Sequence, residues 1–233
     1  MNSEQLEGGP KVEVRTTADG SPTLYVPALD ECYHSRHGAR QESRHVFIEA
    51  GLKPLLAAGG GRERPLQVLE VGLGTGLNAL LTLEAAEAMG ALISYDGYET
   101  YPLPPEAVAA LASQWANYPF LRVFKQIHAA PWSVVMEIDE TLFLTKIQQP
   151  VQQADLGADF YDLIYFDAFA PEKQPELWTE AVFAKLYAAA APGAVLVSYC
   201  AQGQFRRNLR AAGWRTEKLP GPPGKREMTR ATK

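Results

Sequence analysis

Apolar residues in this chain fall into short continuous runs separated by stretches with helical spacing. Leu66-Gln67-Val68-Leu69-Glu70-Val71 is too short for a helix and carries two β-branched valines, so it predicts a buried strand. Residues 92–99, 142–147, 161–166 and 194–199 predict further strands, with a last one near 226–231. Between them, Asn78 to Ala88 is made largely of good helix formers. Glu106 to Tyr118 places Val108, Leu111 and Trp115 on one helical face. Pro175 starts a predicted helix that runs to Ala190, and Gln204 to Ala212 predicts a basic one that ends at Gly213-Trp214. Strands alternating with helices point to an α/β fold with a largely parallel sheet. Residues 131–154 are ambiguous outside the 142–147 strand, with 148–154 reading as a short, weakly helical connection.

The N-terminal segment follows another pattern. Residues 12–15 and 23–26 alternate about an Asp19-Gly20 turn signal, which predicts a hairpin. Val46 to Leu56 predicts an amphipathic helix, and the glycine-rich stretch 59–65 reads as a linker. The expected division is therefore an extension over residues 1–58, of hairpin and helix, followed by a nucleotide-type domain over 59–233.

The Leu66 strand leads into Gly72-Leu73-Gly74-Thr75-Gly76 and then the Asn78 helix. Strand, glycine turn and helix is the arrangement of a nucleotide-type pocket. Glycine turns tightly and leaves no Cβ between backbone and ligand, while the helix start offers unpaired N–H groups. The spacing is Gly-x-Gly-x-Gly, not the G-x-G-x-x-G of dinucleotide folds. Glu70, two residues before the first glycine, would repel a pyrophosphate. Glu-x-Gly-x-Gly-x-Gly instead resembles the first motif of S-adenosylmethionine (AdoMet) methyltransferases, in which the acid lies near the ligand's amino group. A ligand-free glycine turn is the plain alternative.

Composition narrows the class. The 233 residues are 46% hydrophobic and 21% charged, enough for one sizeable core and a small appendage. No run of about 18 apolar residues suggests a membrane span. The polar N-terminus lacks a secretory h-region, and Cys32 and Cys200 form no CxxC, so free thiols in a reducing cytoplasm are expected. Net charge is −5, which argues against broad nonspecific nucleic-acid binding. Nevertheless, residues 206–233 carry Arg206, Arg207, Arg210, Arg215, Lys218, Lys225, Arg226, Arg230 and Lys233 against only Glu217 and Glu227. That stretch is either a solvated charge run or an electrostatic footprint for RNA.

Two acids stand at strand ends, where open α/β sheets bind ligands. Glu99 ends the second strand, placed to accept hydrogen bonds from ribose hydroxyls, or else a solvent carboxylate. Asp167 follows the apolar run 161–166 and precedes Ala168-Phe169-Ala170-Pro171. His34, His37 and His45 fall within twelve residues, but their spacing and the lack of a cysteine pair give no metal site. They read as loop polarity, or as part of a substrate-facing region around Glu42 to His45.

Taken together, Leu69 to Asn78, Phe166 to Pro171 with Pro175 to Thr179, Gly224 to Met228, and upstream Gly38, Glu42-Ser43 and Val46 to Ile48 resemble the MnmC-type tRNA wobble-uridine methyltransferase domain in its stand-alone, MnmD-like form. The resemblance spans about residues 30–231. It implies a Rossmann-like class I AdoMet-dependent methyltransferase, with a mostly parallel seven-stranded sheet and helices on both faces. It implies AdoMet held by Glu70, Gly72, Gly74, Thr75, Gly76, Asn78 and Glu99. Asp167 is the implied catalytic residue. The implied substrate contacts are Glu42, Phe169, Pro171, Arg206, Arg207, Lys225 and Arg226, with Phe169 stacking on or walling off the base and the cations on phosphates. The implied partner is the tRNA anticodon loop, without a metal or a membrane. The chain departs from the family on the adenine side, where Lys146-Ile147 stands in place of a Gly-Asp.

The implied reaction moves a methyl group from AdoMet to the amine of 5-aminomethyl-2-thiouridine at the wobble position. The bifunctional members' flavin-dependent step is not expected, because no second glycine fingerprint is present. Rival readings are a methyl or aminopropyl transferase acting on a small amine, a noncatalytic AdoMet-fold binding protein, and, least supported by the glycine spacing, a nicotinamide dehydrogenase.

Overall fold

The computed structural model describes residues 11–115 and 118–233. The polar residues at the extreme N-terminus, and positions 116–117 of the anticipated 106–118 helix, lie outside them.

A three-stranded antiparallel sheet comes first: β1 (Glu13–Thr16), β2 (Pro22–Val26) and β3 (Glu31–Cys32). Next is a long helical segment: α1 (Ala39–Ser43), a π-helical stretch (Arg44–Leu52) and α2 (Lys53–Ala57). The remaining elements are β4 (Leu66–Val71), α3 (Leu77–Met89), β5 (Ile93–Tyr98), α4 (Pro105–Gln114), α5 (Leu121–Ala129), β6 (Val135–Asp139), β7 (Leu142–Ile147), β8 (Tyr161–Phe166), α6 (Glu180–Ala189), β9 (Ala190–Ser198), α7 (Gly203–Ala211), β10 (Arg215–Pro220) and β11 (Glu227–Thr232).

The main sheet has the order β10-β11-β9-β8-β4-β5-β7-β6. Its five central strands, β9 to β7, are parallel, whereas β11 pairs antiparallel with β9 and β6 antiparallel with β7. Seven strands form the expected sheet, and β6 is an eighth at its edge. Alternate residues of the central strands feed two cores. Val68, Leu163 and Tyr165 pack under Val46, Phe47, Leu52 and the α3 leucines. Leu69, Ile164 and Phe166 pack under Trp178, Phe183, Phe205 and Trp214. Burial on both faces is why these strands read as continuous apolar runs.

The N-terminal segment joins the first of these cores through Leu24 and the helical stretch. Gly51 allows that close approach, because a Cβ there would stand 3.0 Å from the Val197 side chain. Several details differ from the sequence expectations. Pro175–Leu177 is a separate 3-10 turn, and α6 begins only at Glu180, where the Thr179 hydroxyl caps it by accepting from the Val182 N–H at 3.4 Å. Strands β6 and β10 and helix α5 were not anticipated at all.

Candidate functional site

Strand order reverses at β4, which lies between β5 and β8, and a cavity of about 1080 Å³ opens beyond the carboxyl ends of these three strands. The glycine turn forms one wall. Gly72 has φ +88°, and a Cβ there would lie 2.7 Å from the Asp167 carbonyl; at Gly74, with φ +50°, it would lie 2.9 Å from the Tyr33 ring. Both positions therefore need glycine for conformation and for space. The turn is tied down from behind. His128, whose pKa burial lowers to about 4, donates from Nε2 to the Thr75 carbonyl at 3.0 Å.

Glu99 lies at the end of β5, as its place in sequence requires. Its carboxylate accepts the Gly74 N–H at 3.0 Å and the Tyr101 N–H at 2.8 Å, and it lines the cavity. Burial raises its pKa against those hydrogen bonds. Glu70 lies elsewhere. It is fully buried behind the turn, taking the Tyr95 hydroxyl at 2.7 Å and the Asn78 amide at 2.8 Å, and is not among the residues lining the cavity. Strand alternation puts it on the same face as Val68, under α3. Gly76 opens α3 in the left-handed conformation, at φ +70°.

Asn78 and Asp167 form the centre of the site. The same Asn78 Nδ2 that reaches Glu70 donates to Asp167 Oδ2 at 2.8 Å. Burial, with a contribution from Glu42, pushes the Asp167 carboxyl up to about 7, while Asn78 and Lys225 oppose the rise. The loop after Asp167 is pinned at several points: Gln174 accepts the Phe169 N–H at 2.9 Å, and the Trp178 indole and Tyr199 hydroxyl donate to the carbonyls of Phe169 and Ala168 at 2.9 and 2.8 Å. Phe169 faces the cavity edge-on to Tyr33, with ring centroids 5.0 Å apart. Pro171 lines an adjoining groove with Arg226.

The implied phosphate contacts separate into two kinds. Lys225 points inward and pairs with Glu42 across 183 residues, and Arg206 pairs with Glu227 at 3.5 Å with its side chain only 11% exposed. Arg207 and Arg226 are exposed, and no acid among the described residues pairs with them. Elsewhere in the stretch, Lys218, Arg230 and Lys233 pair with Glu227, Glu217 and Asp159. Five of the nine cations in the stretch thus pair with acids, and Arg207, Arg210, Arg215 and Arg226 have no acidic partner among the described residues.

Sequence reasoning missed Tyr33, Gln149, Val151 and Tyr199, all of which line the cavity. Lys146 does not. Its ammonium donates to the His128 carbonyl at 2.8 Å, and Gln149 and Val151 take the adjoining side of the cavity. The histidines of the N-terminal segment diverge: His34 Nδ1 meets the Thr23 hydroxyl at 3.1 Å, and His45 Nε2 donates to the Pro220 carbonyl at 2.8 Å. Among the described residues no three His, Cys, Asp or Glu side chains converge as a metal site, and no helix is long and apolar enough to cross a membrane.

A switch-point cavity with a glycine turn and strand-end carboxylates defines a class, and the chain belongs to the S-adenosyl-L-methionine-dependent methyltransferases, whose family model matches residues 106–233. Within that class it is similar to the tRNA 5-methylaminomethyl-2-thiouridine biosynthesis bifunctional protein MnmC. It is 32% identical to that of Cupriavidus necator over 230 residues, which is 93% of this chain and 33% of that protein. With the Magnetococcus marinus protein it shares 34% over 228 residues, 89% of this chain and 32% of the relative. The chain thus spans about a third of the length of these curated relatives. The crystal structure of MnmC2 from Aquifex aeolicus has the same fold, with a TM-score of 0.75 at 22% identity, covering 95% of this chain and 70% of that one.

The residues present suit AdoMet. The two glycines leave room for a ligand against the turn. Glu99 offers acceptors to ribose hydroxyls. Asn78 Oδ1 and Thr75 Oγ1, both buried at the cavity wall, have no partner among the described residues. A buried polar atom without a partner is costly, so these atoms suit a ligand's donors.

Proposed function

We propose that this chain transfers a methyl group from AdoMet to the primary amine of 5-aminomethyl-2-thiouridine at the tRNA wobble position, in the cytoplasm, giving 5-methylaminomethyl-2-thiouridine. The observation that carries the reading is the placement of Asp167: its carboxylate lines the cofactor cavity just beyond β8, is held by the Asn78 amide at 2.8 Å, and is pushed by burial up to about 7. The similarity to MnmC over nine-tenths of the chain supplies the substrate.

AdoMet supplies an electrophilic methyl group when bound. Gly72, Gly74, Thr75, Asn78 and Glu99 would hold it, while Glu70 acts indirectly, by fixing the Asn78 amide. An amine attacks only when neutral. Asp167 Oδ accepts its proton, and a base that titrates near neutral pH suits that task. In-line displacement needs little beyond orientation, which the pinned 167–171 loop provides. Phe169 stacks on the wobble base, which must leave its loop to enter the cavity; such stacking is worth about 1–3 kcal/mol. Arg207 and Arg226 suit phosphates.

The test is incubation with labelled AdoMet and tRNA from a strain lacking this methylation, followed by nucleoside analysis. Label in the methylaminomethyl uridine is the expected result. The net charge of −5 and the internally paired cations favour a second reading, transfer to a small amine. Label absent from tRNA and present on free amines would replace the first reading with the second.

A further inference from the structure

The wall of the cavity already contains a primary ammonium. Lys225 reaches in from the loop before β11, forms an ion pair with Glu42 Oε1 at 2.5 Å, and stands 4.0 Å from the centroid of the Tyr199 ring. Both partners are fixed independently of it. The Glu42 Oε2 accepts the Ser35 N–H at 2.7 Å, and the Tyr199 hydroxyl donates to the Ala168 carbonyl. Glu42 is only 7% exposed. Carboxylate and aromatic face together are the recognition chemistry of an alkylammonium ion. This corner adjoins Asp167, whose titration feels both Glu42 and Lys225. It also borders the groove lined by Pro171 and Arg226, which shares Tyr199 and Lys225 with the cavity.

We propose that Glu42 and the Tyr199 ring form a subsite for the substrate's primary ammonium, which the Lys225 side chain fills until substrate displaces it. This deepens the amine-methylating reading and rests on it. Lys225 then acts as a stand-in for the substrate, not as a phosphate contact. An incoming ammonium takes over its ion pair and ring contact before passing its proton to Asp167. A neutral or anionic group gains nothing there and leaves Lys225 in place. The subsite therefore selects protonated amines over the alcohols and acids of similar size.

Thermal unfolding with benzylammonium chloride, and with benzyl alcohol as the uncharged control, tests this without any turnover. Removing the lysine leaves Glu42 buried and uncompensated, so Lys225→Ala is expected to melt below the wild type. At about ten times its Kd, benzylammonium should raise that Tm by about 3–6 °C, with no response to benzyl alcohol. The wild type should respond less, and Lys225→Ala/Glu42→Gln not at all. Lys225→Met keeps the aliphatic stem and should respond as Lys225→Ala does if the latter folds poorly. An unresponsive pair of single variants, or an equal response in the double variant, overturns the proposal. A Glu42-dependent response together with no methylation of tRNA would retain the subsite and reject only the tRNA substrate.

Discussion

One amide hydrogen-bond donor, Asn78 Nδ2, holds Asp167 Oδ2 and Glu70 Oε1 at 2.8 Å each. It thereby couples the candidate base to a carboxylate sealed behind the cofactor turn. Because Asn78 favours the ionised form of Asp167, removing it moves that pKa above about 7. The rising limb of kcat/KM against pH, which follows deprotonation of Asp167, should shift to higher pH in Asn78→Ala. The variant should also lose about 1–3 kcal/mol of stability, since Glu70 keeps only the Tyr95 hydroxyl as a donor. A pH–rate profile with an unchanged midpoint would separate Asn78 from the base.

Asp167→Asn tests the base itself. General-base contributions are typically about 10²–10⁴-fold, so turnover should fall by that order while calorimetry still detects AdoMet binding. Stability provides a second readout. A carboxyl raised in the folded state is least costly below its unfolded pKa of 3.8, and the penalty grows as pH rises to about 7. Relative to wild type, Asp167→Asn should therefore gain in Tm steadily between about pH 4 and pH 7, then level off. A flat difference across that range would show that burial does not perturb Asp167.

The glycine motif and Asp167 were legible because both depend on local order: a short apolar run, then a residue at its end. Glu70 was legible only in part. Its place in the motif was plain, but alternation along β4 puts it on the face of Val68, beneath α3, and so turns it away from the cavity. The eighth strand was hidden because β6 is an exposed edge, with Val135 64% exposed, and carries no alternation for one buried face to impose. Likewise β10 is largely polar (Arg-Thr-Glu-Lys-Leu-Pro) and owes its conformation to pairing with β11. The Glu42–Lys225 pair joins residues 183 apart, and no local pattern announces such a contact.

Glu99 accepts two backbone N–H groups, one of them from Gly74, so it shapes the turn as well as facing the ligand. Hydrogen bonds to charged groups contribute about 1.5–3 kcal/mol, which translates to a loss of about 10–100-fold in AdoMet affinity for Glu99→Ala. Titration calorimetry with AdoMet measures this directly. Unchanged affinity would remove Glu99 from the cofactor site.

Gly72→Ala combines two faults. Its backbone lies at φ +88°, and the new Cβ would meet the Asp167 carbonyl at 2.7 Å, a backbone atom unable to move without shifting β8. Left-handed strain alone costs about 1–3 kcal/mol. Chemical denaturation should show at least that loss, and AdoMet binding should fail even in the folded fraction. Normal stability together with normal binding would mean that the turn is looser than its geometry implies.

The two kinds of arginine at the C-terminal end should behave differently. Arg226 is exposed beside the groove lined by Pro171, and no acid among the described residues pairs with it. Arg206 is mostly buried against Glu227. If tRNA is the substrate, Arg226→Ala should weaken tRNA binding and lower the slope of log K against log salt by about 1, while leaving Tm unchanged. Arg206→Ala should instead lower Tm by stripping Glu227 of its mostly buried partner and leaving it only the exposed Lys218, with little change in the salt slope. Filter binding across a salt series and thermal melts separate the two. Equal slopes for Arg226→Ala and wild type would move the RNA-binding surface away from the groove.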